Sequence, residues 1–201
     1  MLMEQQFPHA LRLLQQYLLD ASRELRVSIR FGLIGGLAVS AWGVIRATED
    51  IDLLADSSPT PLRNLTLRDN LQAFLEKNGC TIEWRVGDVE DPIPLLLRVT
   101  MPRPAHNVRA DILWAHKRWQ KEALARTVTL RVSDIEVFVL HPEDLILLKL
   151  EAGGPRDLLD VEELLSNPPK ELNLQQLRKK SVQLRLGAVL EKCLRGSRGN
   201  A

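Results

Sequence analysis

Two aspartates, Asp50 and Asp52, lie two positions apart in a segment that alternates polar and apolar side chains. In a β-strand such residues point to the same side, so both carboxylates share one surface while Ile51 and Leu53 face the core. Neighbouring carboxylates repel each other and Asp is uncommon in strands, so the pattern is costly unless a cation lies between them. A hard divalent cation such as Mg²⁺, held by carboxylate, phosphate and water oxygens, is the expected occupant.

A glycine pair, Gly35-Gly36, stands ahead of these aspartates, between an apolar run at residues 30–34 and a segment at 37–42 that can continue as a helix. A turn without side chains lets backbone N–H groups approach a phosphate closely, and a helix N-terminus favours the anion. Alone, a glycine pair is usually a turn and an Asp-x-Asp is usually a solvated loop. Their order and their apolar frame favour one site that holds phosphate and metal together.

A third carboxylate on an adjacent strand would complete a two-metal site, in which ions ~3.5–4 Å apart activate the attacking oxygen and stabilise the leaving group. Asp111 is the best candidate, because it lies between apolar neighbours in a predicted strand at residues 107–114. Asp91 and Asp134 also lie near predicted strands, but in turn-like contexts. We therefore expect Asp111 to join the aspartate pair.

These motifs resemble the signature of a known superfamily. Gly35-Gly36-Leu37-Ala38, the run RATEDIDLL at 46–54 and Asp111 resemble the nucleotidyltransferases with the DNA polymerase β-like fold. The runs HPEDLILLKL at 141–150 and RDLLDV at 156–161 are similar to the second half of minimal nucleotidyltransferases of the abortive-infection type, many of which are toxins of type IV toxin–antitoxin systems. The resemblance covers about residues 30 to 165.

The resemblance implies Mg²⁺-dependent transfer of a nucleoside monophosphate from an NTP, such as ATP, to an acceptor hydroxyl, with pyrophosphate leaving. Gly35 and Gly36 would contact the triphosphate. Asp50 and Asp52 would bind two Mg²⁺ ions. Asp111 would join them as a ligand and base-like activator.

The resemblance also gives roles to residues in the second half of the chain. Lys149 would meet the triphosphate charge, for which a flexible ammonium is suited, and Asp157 and Asp160 would orient that lysine or the acceptor. Structural alternatives exist for all three: Lys149 could be a surface lysine near a helix C-terminus, Asp157 could cap the next helix, and Asp160 could pair with Arg156.

The acceptor and the partners are less constrained. The resemblance suggests a tRNA or protein acceptor and a cognate antitoxin, while the sequence itself leaves tRNA, protein and a small molecule open as the acceptor and does not show whether an antitoxin exists. Arg46 could bind phosphate or pair with Glu49. Residues 178–198 contain seven Lys or Arg against one acid, Glu191, which indicates either a solvated helix face or a local patch for an RNA acceptor.

The elements expected to position these residues define an α+β fold with a mixed sheet, flanking helices and a C-terminal helical segment. The pattern predicts a nucleotidyltransferase core at 1–140, the helical segment at 141–195 and a disordered tail at 196–201. Within the core, a first helix begins at Pro8 and the aspartate strand ends in a loop at 56–61. Leu174 opens one or two final helices.

Composition limits the function classes. The 201 residues carry 27 Lys or Arg and 26 Asp or Glu, a net charge of +1, which excludes a polycationic nucleic-acid coat. The apolar runs are too short to cross a bilayer and the N-terminus does not resemble a signal peptide, so we expect a cytoplasmic protein. Two competing functions use the same features: an inactive NTP-binding or partner-binding module, and a metal-dependent nuclease, for which the glycine turn and Lys149 have no purpose.

Overall fold

The computed structural model describes residues 2–46, 48, 50–87, 94–102, 108–132 and 134–199, with residues 2–6, 198 and 199 described by backbone alone. These residues form a seven-stranded sheet and eight helices. The strands are β1 (Ser28–Ile34), β2 (Asp50–Ser58), β3 (Thr81–Val86), β4 (Leu95–Thr100), β5 (Arg109–Trp114), β6 (Val128–Val132) and β7 (Ile135–Val139). The helices are α1 (Leu2–Glu24), α2 (Gly35–Ala41), α3 (Leu65–Lys77), α4 (Arg118–Leu124), α5 (Pro142–Ala152), α6 (Pro155–Ser166), α7 (Leu174–Gln183) and α8 (Gly187–Gly199).

The sheet is mixed, with the strand order β3-β4-β5-β2-β1-β7-β6. The pairs β2/β5 and β1/β7 run parallel, and the other neighbours run antiparallel. The predicted α+β class with a mixed sheet and flanking helices is thereby confirmed. The strand with the aspartate pair, β2, lies near the centre of the sheet, between β1 and β5.

The two faces of β2 differ as the alternation predicts. Ile51 and Leu53 are 0 % and 1 % exposed and belong to the core. The aspartates lie on the opposite face, and further along that face Asp56 pairs with Lys121 of α4, with 3.0 Å between Nζ and Oδ1. Helix α4 therefore covers one end of the face on which Asp50 and Asp52 stand.

The C-terminal helices are fixed to the sheet by α5, which contacts α2, α6 and α7. Two buried acids at the start of α5 make the connections. Asp144 forms ion pairs with Arg126, ahead of β6, and with Lys180 of α7. Glu143 accepts a hydrogen bond of 2.7 Å from the backbone N–H of Asn173. These contacts hold the helical segment over the sheet.

Two predicted boundaries are wrong. Helix α1 begins at Leu2, with Pro8 inside it. A proline removes one backbone hydrogen bond from a helix interior, and the burial of Leu14 and Leu18 later in the helix offsets that loss. Strand β2 runs on to Ser58, through residues 56–58 that were expected to form a loop. Pairing with β1 over this stretch offsets the low strand propensity of Asp and Ser.

Two further expectations fail near the C-terminal half. The sequence analysis predicts no strand at residues 135–139, whereas the structure has β7 there, paired with β6 and β1. Helix α8 continues to Gly199, so residues 196–199 are helical where a disordered tail was expected. Asp91 and Glu49 lie outside the described residues. In the part of the chain that the structure covers, no helix has the length and hydropathy needed to cross a membrane.

Candidate active site

Strand register brings the three predicted metal ligands to one face of the sheet. In the parallel pair β2/β5, Asp52 lies opposite Asp111, and Asp50 lies opposite Arg109. In the antiparallel pair β4/β5, Arg98 lies opposite Asp111. Because cross-strand partners project to the same side of a sheet, the three carboxylates share one surface with two arginines.

Asp52 is at the centre of this group. Its half-buried carboxylate makes no hydrogen bond or ion pair with any described residue. Burial and, after it, the neighbouring charges of Asp111 and Asp50 together raise its pKa to about 6, against the opposing effects of Lys149 and Arg46. A half-buried acid crowded by two other acids is a position that a cation would stabilise.

The outer two carboxylates are held by arginines. Arg98 donates two hydrogen bonds to Asp111, from Nε at 2.8 Å and from Nη2 at 2.6 Å. Arg109 donates to Asp50 from Nε at 3.0 Å. In the described ranges, no three His, Cys, Asp or Glu side chains are arranged so that they could hold a metal ion without moving.

The donor set nevertheless fits a divalent cation. All three groups are carboxylates, which Mg²⁺ prefers, and Asp52 has no competing partner. On binding a metal ion, Asp50 and Asp111 would give up their ion pairs with Arg109 and Arg98. Their charge would then be neutralised by the ion, as it is by the two arginines without metal. Three carboxylates on one face are therefore a donor set that suits Mg²⁺.

The glycine pair is required by its neighbours. Gly35 has φ of +65°, and a Cβ at this position would lie 2.0 Å from Oδ2 of Asp52. A Cβ at Gly36 would lie 2.8 Å from Nη1 of Arg46. The backbone of the turn between β1 and α2 therefore passes directly against the side chains of Asp52 and Arg46, where any side chain on the turn would intrude.

Lys149 is buried, so the alternative of a surface lysine is wrong. Its side chain projects from α5 and is 5 % exposed as a residue, with Nζ 2.5 Å from Asp160 and 3.1 Å from Asp157. Asp160 also pairs with Arg46, at 2.7 Å, rather than with Arg156. Asp157 does not occupy the N-cap position of α6. The two acids thus position both Lys149 and Arg46 beside the glycine turn.

We expect Lys149→Met to lower the free energy of unfolding by about 3 kcal/mol, because it leaves Asp157 and the buried Asp160 with one compensating cation fewer. Urea unfolding at pH 7 measures the difference. The matched control is Lys179→Met, on the exposed face of α7, which should change the stability by less than about 0.5 kcal/mol. Equal stabilities of the two variants would show that the cluster does not hold α5 and α6 together.

Two cavities meet at Asp52. A polar cavity of about 380 Å³ lies over the glycine turn, and an apolar cavity of about 370 Å³ lies between the sheet and α5. Both are lined by Gly35, Asp52, Lys149 and Asp157. The polar cavity adds Gly36, Arg46, Thr48, Asp50 and Arg156. Arg46, Lys149 and Arg156 therefore surround this space. It borders the face of the sheet that carries Asp50, Asp52 and Asp111, which we call the carboxylate face.

Sequence reasoning missed the two arginines on the carboxylate face. Arg109 could have been found, because it precedes Asp111 by two residues and strand alternation puts both on one face. Arg98 could not, because its contact depends on the pairing of β4 with β5. Arg156 was considered only as a partner for Asp160, whereas it lines the polar cavity.

A carboxylate face, a glycine turn and a basic cavity on a mixed sheet define a protein of the nucleotidyltransferase class. The chain belongs to the family described as nucleotidyltransferase of unknown function (DUF6036), whose sequence model matches residues 11–183. The nucleotidyltransferase part of the resemblance is thereby confirmed, whereas the DNA polymerase β-like superfamily and the abortive-infection branch stay predictions. No curated protein matches the chain by sequence.

Solved structures with a similar fold are distant in sequence. ANT(2")-Ia in complex with adenylyl-2"-tobramycin is 16 % identical, with a TM-score of 0.49, and the match covers 90 % of this chain and 96 % of that one. An antigenic nucleotidyltransferase-like protein from Paracoccidioides brasiliensis is 20 % identical, with a TM-score of 0.47 and coverage of 91 % and 93 %.

Proposed function

We propose that the protein transfers a nucleoside monophosphate from an NTP to an acceptor hydroxyl in a Mg²⁺-dependent reaction that releases pyrophosphate. The observation that carries this proposal is the half-buried, unpartnered carboxylate of Asp52, crowded by Asp50 and Asp111 where two cavities meet. Family membership supports a transferase of this class.

The carboxylate face would hold the metal. Asp50 and Asp52 would ligate two ions and Asp111 would join them after release from Arg98. Two divalent ions held there would supply activation of the attacking hydroxyl and stabilisation of the charge on the leaving pyrophosphate. The arginines that pair with Asp50 and Asp111 would then turn toward solvent or toward the phosphates.

The polar cavity would receive the triphosphate. Gly35 and Gly36 present backbone N–H groups without side chains, and Arg46, Lys149 and Arg156 supply positive charge around the space. Asp160 holds the first two cations in place through its ion pairs at 2.7 and 2.5 Å. Positioned cations of this kind stabilise the charge that develops on transferring phosphate groups.

The reaction is a displacement at the α-phosphorus. The acceptor oxygen forms a bond to this phosphorus, the bond to the bridging oxygen of the β-phosphate breaks, and pyrophosphate leaves with the electron pair. Asp111 would accept the hydroxyl proton. Asp111 lies opposite Asp52 in the β2/β5 register, which supports its sharing the same ions.

A second candidate is a module that binds NTP without turnover. The ion pairs of Asp50 with Arg109 and of Asp111 with Arg98 favour it, because they neutralise two of the three metal ligands. Calorimetry with Mg²⁺ and each NTP, followed by a pyrophosphate assay with RNA, protein and small-molecule acceptors, separates the two. Binding of an NTP with no pyrophosphate release for any acceptor would favour the module.

The resemblance suggests tRNA or protein as the acceptor, a cognate antitoxin as a partner and the cytoplasm as the location, and these stay part of the proposal. The basic C-terminal face could contact RNA. Lys179, Arg185, Lys192 and Arg195 are exposed there, whereas Arg178 is paired with Glu191. Pull-down of labelled tRNA by the wild type and by a variant with these four residues changed to Gln tests that surface.

A further inference from the structure

A row of charged side chains crosses four strands of the sheet. Asp52 of β2 lies opposite Asp111 of β5. Asp111 lies opposite Arg98 of β4, and Arg98 lies opposite Glu83 of β3, an edge strand. Because cross-strand partners project to the same side of a sheet, the row extends the carboxylate face to this edge. Arg98 therefore stands between an acid of the site and an acid of the edge.

Arg98 is bound to the acid of the site. Its Nε and Nη2 donate to different oxygens of Asp111, at 2.8 and 2.6 Å. The Arg98 and Asp111 side chains are only 23 % and 16 % exposed. A two-pronged, charge-assisted pair with little exposure to water is among the stronger ion pairs in proteins. A metal ion at Asp111 would compete with this guanidinium for the same two oxygens.

The ion pair of Arg109 with Asp50 is a weaker obstacle to a metal ion. Its side chains are 51 % and 33 % exposed, and its second hydrogen bond is 3.4 Å long. Exposed ion pairs contribute little to stability and are screened by salt. Asp50 and the unpartnered Asp52 are therefore more open to a cation than Asp111 is.

Glu83 is a second partner for the guanidinium of Arg98. A hydrogen bond from Arg85, 2.8 Å long, lowers the pKa of Glu83, and the charge of Arg98 also lowers it, so Glu83 is ionised at neutral pH. The two oxygens of a carboxylate offer about four acceptor positions, so Glu83 can accept from Arg98 while it keeps Arg85. A guanidinium that leaves Asp111 thus finds an acid on the neighbouring strand.

The two acids beside Arg98 differ in their distance from the cavities. Asp111 lies opposite Asp52, which lines both cavities. Among the described residues, neither cavity is lined by a residue of β3 or β4. Movement of the guanidinium from Asp111 to Glu83 therefore takes positive charge away from the space proposed for metal and triphosphate.

We propose that Arg98 is a positioning residue that controls when Asp111 becomes a metal ligand: its guanidinium holds Asp111 until a divalent cation binds there, and then moves to Glu83. The inference rests on the proposed function, because it concerns the same metal site. The exchange leaves every charge in the row with a partner. It also makes Asp50 and Asp52 the first ligands and Asp111 the last.

The test measures the dissociation constant of Mn²⁺, a cation with the ligand preference of Mg²⁺ and a spin-resonance signal, on the full chain without nucleotide. The variants are Arg98→Met, Arg98→Lys, Glu83→Gln and the double variant of Arg98→Met with Glu83→Gln. The matched control is Glu122→Gln, since Glu122 is another exposed acid paired with an arginine, on the surface of α4. Competition with Mg²⁺ confirms that both cations occupy one site.

We expect Arg98→Met to bind Mn²⁺ about ten-fold more tightly than the wild type, because the ion no longer displaces charge-assisted hydrogen bonds. Arg98→Lys should lie between the two, since lysine keeps the charge but not the two-pronged geometry. An arginine with a merely structural role would not strengthen metal binding when removed.

Glu83→Gln carries a separate expectation and is at an exposed edge position, so it tests the proposal even if Arg98→Met does not fold. We expect it to weaken Mn²⁺ binding about three-fold or more, because the released guanidinium loses its second partner. In the Arg98→Met background the same change should have no effect, and Glu122→Gln should have none in either. A Glu83→Gln effect of equal size in both backgrounds would reflect only its distant charge and would overturn the proposal.

The two proposals fail in different ways. Mn²⁺ binding that is lost in Asp52→Asn but is no tighter in Arg98→Met overturns the role of Arg98 and leaves the metal site standing. Mn²⁺ affinities that change as expected along the row, with no pyrophosphate released from any NTP, contradict the transferase and support the role of Arg98. The absence of Mn²⁺ binding in the wild type and in every variant contradicts both.

Discussion

Replacing Asp52 with Asn lowers nucleotide transfer by at least about a thousand-fold and at the same time makes the metal-free protein more stable at pH 7. Activity should fall because the proposed central metal ligand becomes a neutral amide of the same shape. Stability rises because burial and the charges of Asp111 and Asp50 raise the pKa of Asp52 to about 6. The stability gain should be about 1–3 kcal/mol, since each unit of pKa shift corresponds to ~1.4 kcal/mol.

The pH dependence of this gain has a definite sign. In the unfolded chain an Asp ionises near pH 3.9, whereas in the folded protein Asp52 ionises at about 6. Below about pH 4 the residue is neutral in both states, and the variant should have no advantage. As the pH rises to 6 the wild type loses stability relative to the variant, and above that the difference is constant.

Urea unfolding of both proteins between pH 4 and pH 8, without divalent metal, measures this difference. The control is Asp134→Asn in the turn between β6 and β7, where the side chain is 91 % exposed and no such pH-dependent gain is expected. If Asp52→Asn is less stable than the wild type at pH 7, the carboxylates around Asp52 do not destabilise its charged form as described.

We expect Gly35→Ala to lower activity by at least about a hundred-fold. It should also lower the free energy of unfolding by more than the strain of alanine in this backbone conformation accounts for. Alanine at φ of +65° costs about 1–2 kcal/mol wherever it occurs. At Gly35 the new Cβ would also lie 2.0 Å from Oδ2 of Asp52, so the acid has to leave its position.

Gly43→Ala separates these two effects. Gly43 has φ of +100°, but a Cβ there has no atom within 4 Å, so the substitution strains the backbone and leaves the site intact. We expect normal activity in Gly43→Ala and a loss in Gly35→Ala, measured as pyrophosphate release. Equal activity of the two variants would show that the close approach of the turn to Asp52 is not needed.

The parts of this molecule that were predictable from sequence are those set by local geometry. Strand alternation is enough to put Asp50 and Asp52 on one face, and a glycine pair after an apolar run is enough to indicate the turn at Gly35. The apolar frame around Asp111 indicated a strand. Asp111 lies opposite Asp52 because of the register between β2 and β5. The sequence of a single strand does not determine that register.

The parts that were not predictable depend on tertiary contacts. Asp56 lies in β2 rather than in a loop because Arg30 of β1 and Lys121 of α4 pair with it there. The ion pair of Arg46 with Asp160 joins residues that are 114 positions apart. No local pattern predicts such a contact, and the roles of both residues in the reaction are still predictions.

The central claim is that Asp52 organises a metal site for nucleotide transfer. The most direct measurement is incubation of the wild type and Asp52→Asn with α-labelled NTPs, Mg²⁺ and fractionated cellular RNA, protein and small molecules. We predict that the wild type transfers label to one fraction with an equal amount of pyrophosphate released, and that this is lost in Asp52→Asn or with chelator. Transfer that survives in Asp52→Asn, or NTP binding with no transfer to any fraction, would contradict the claim.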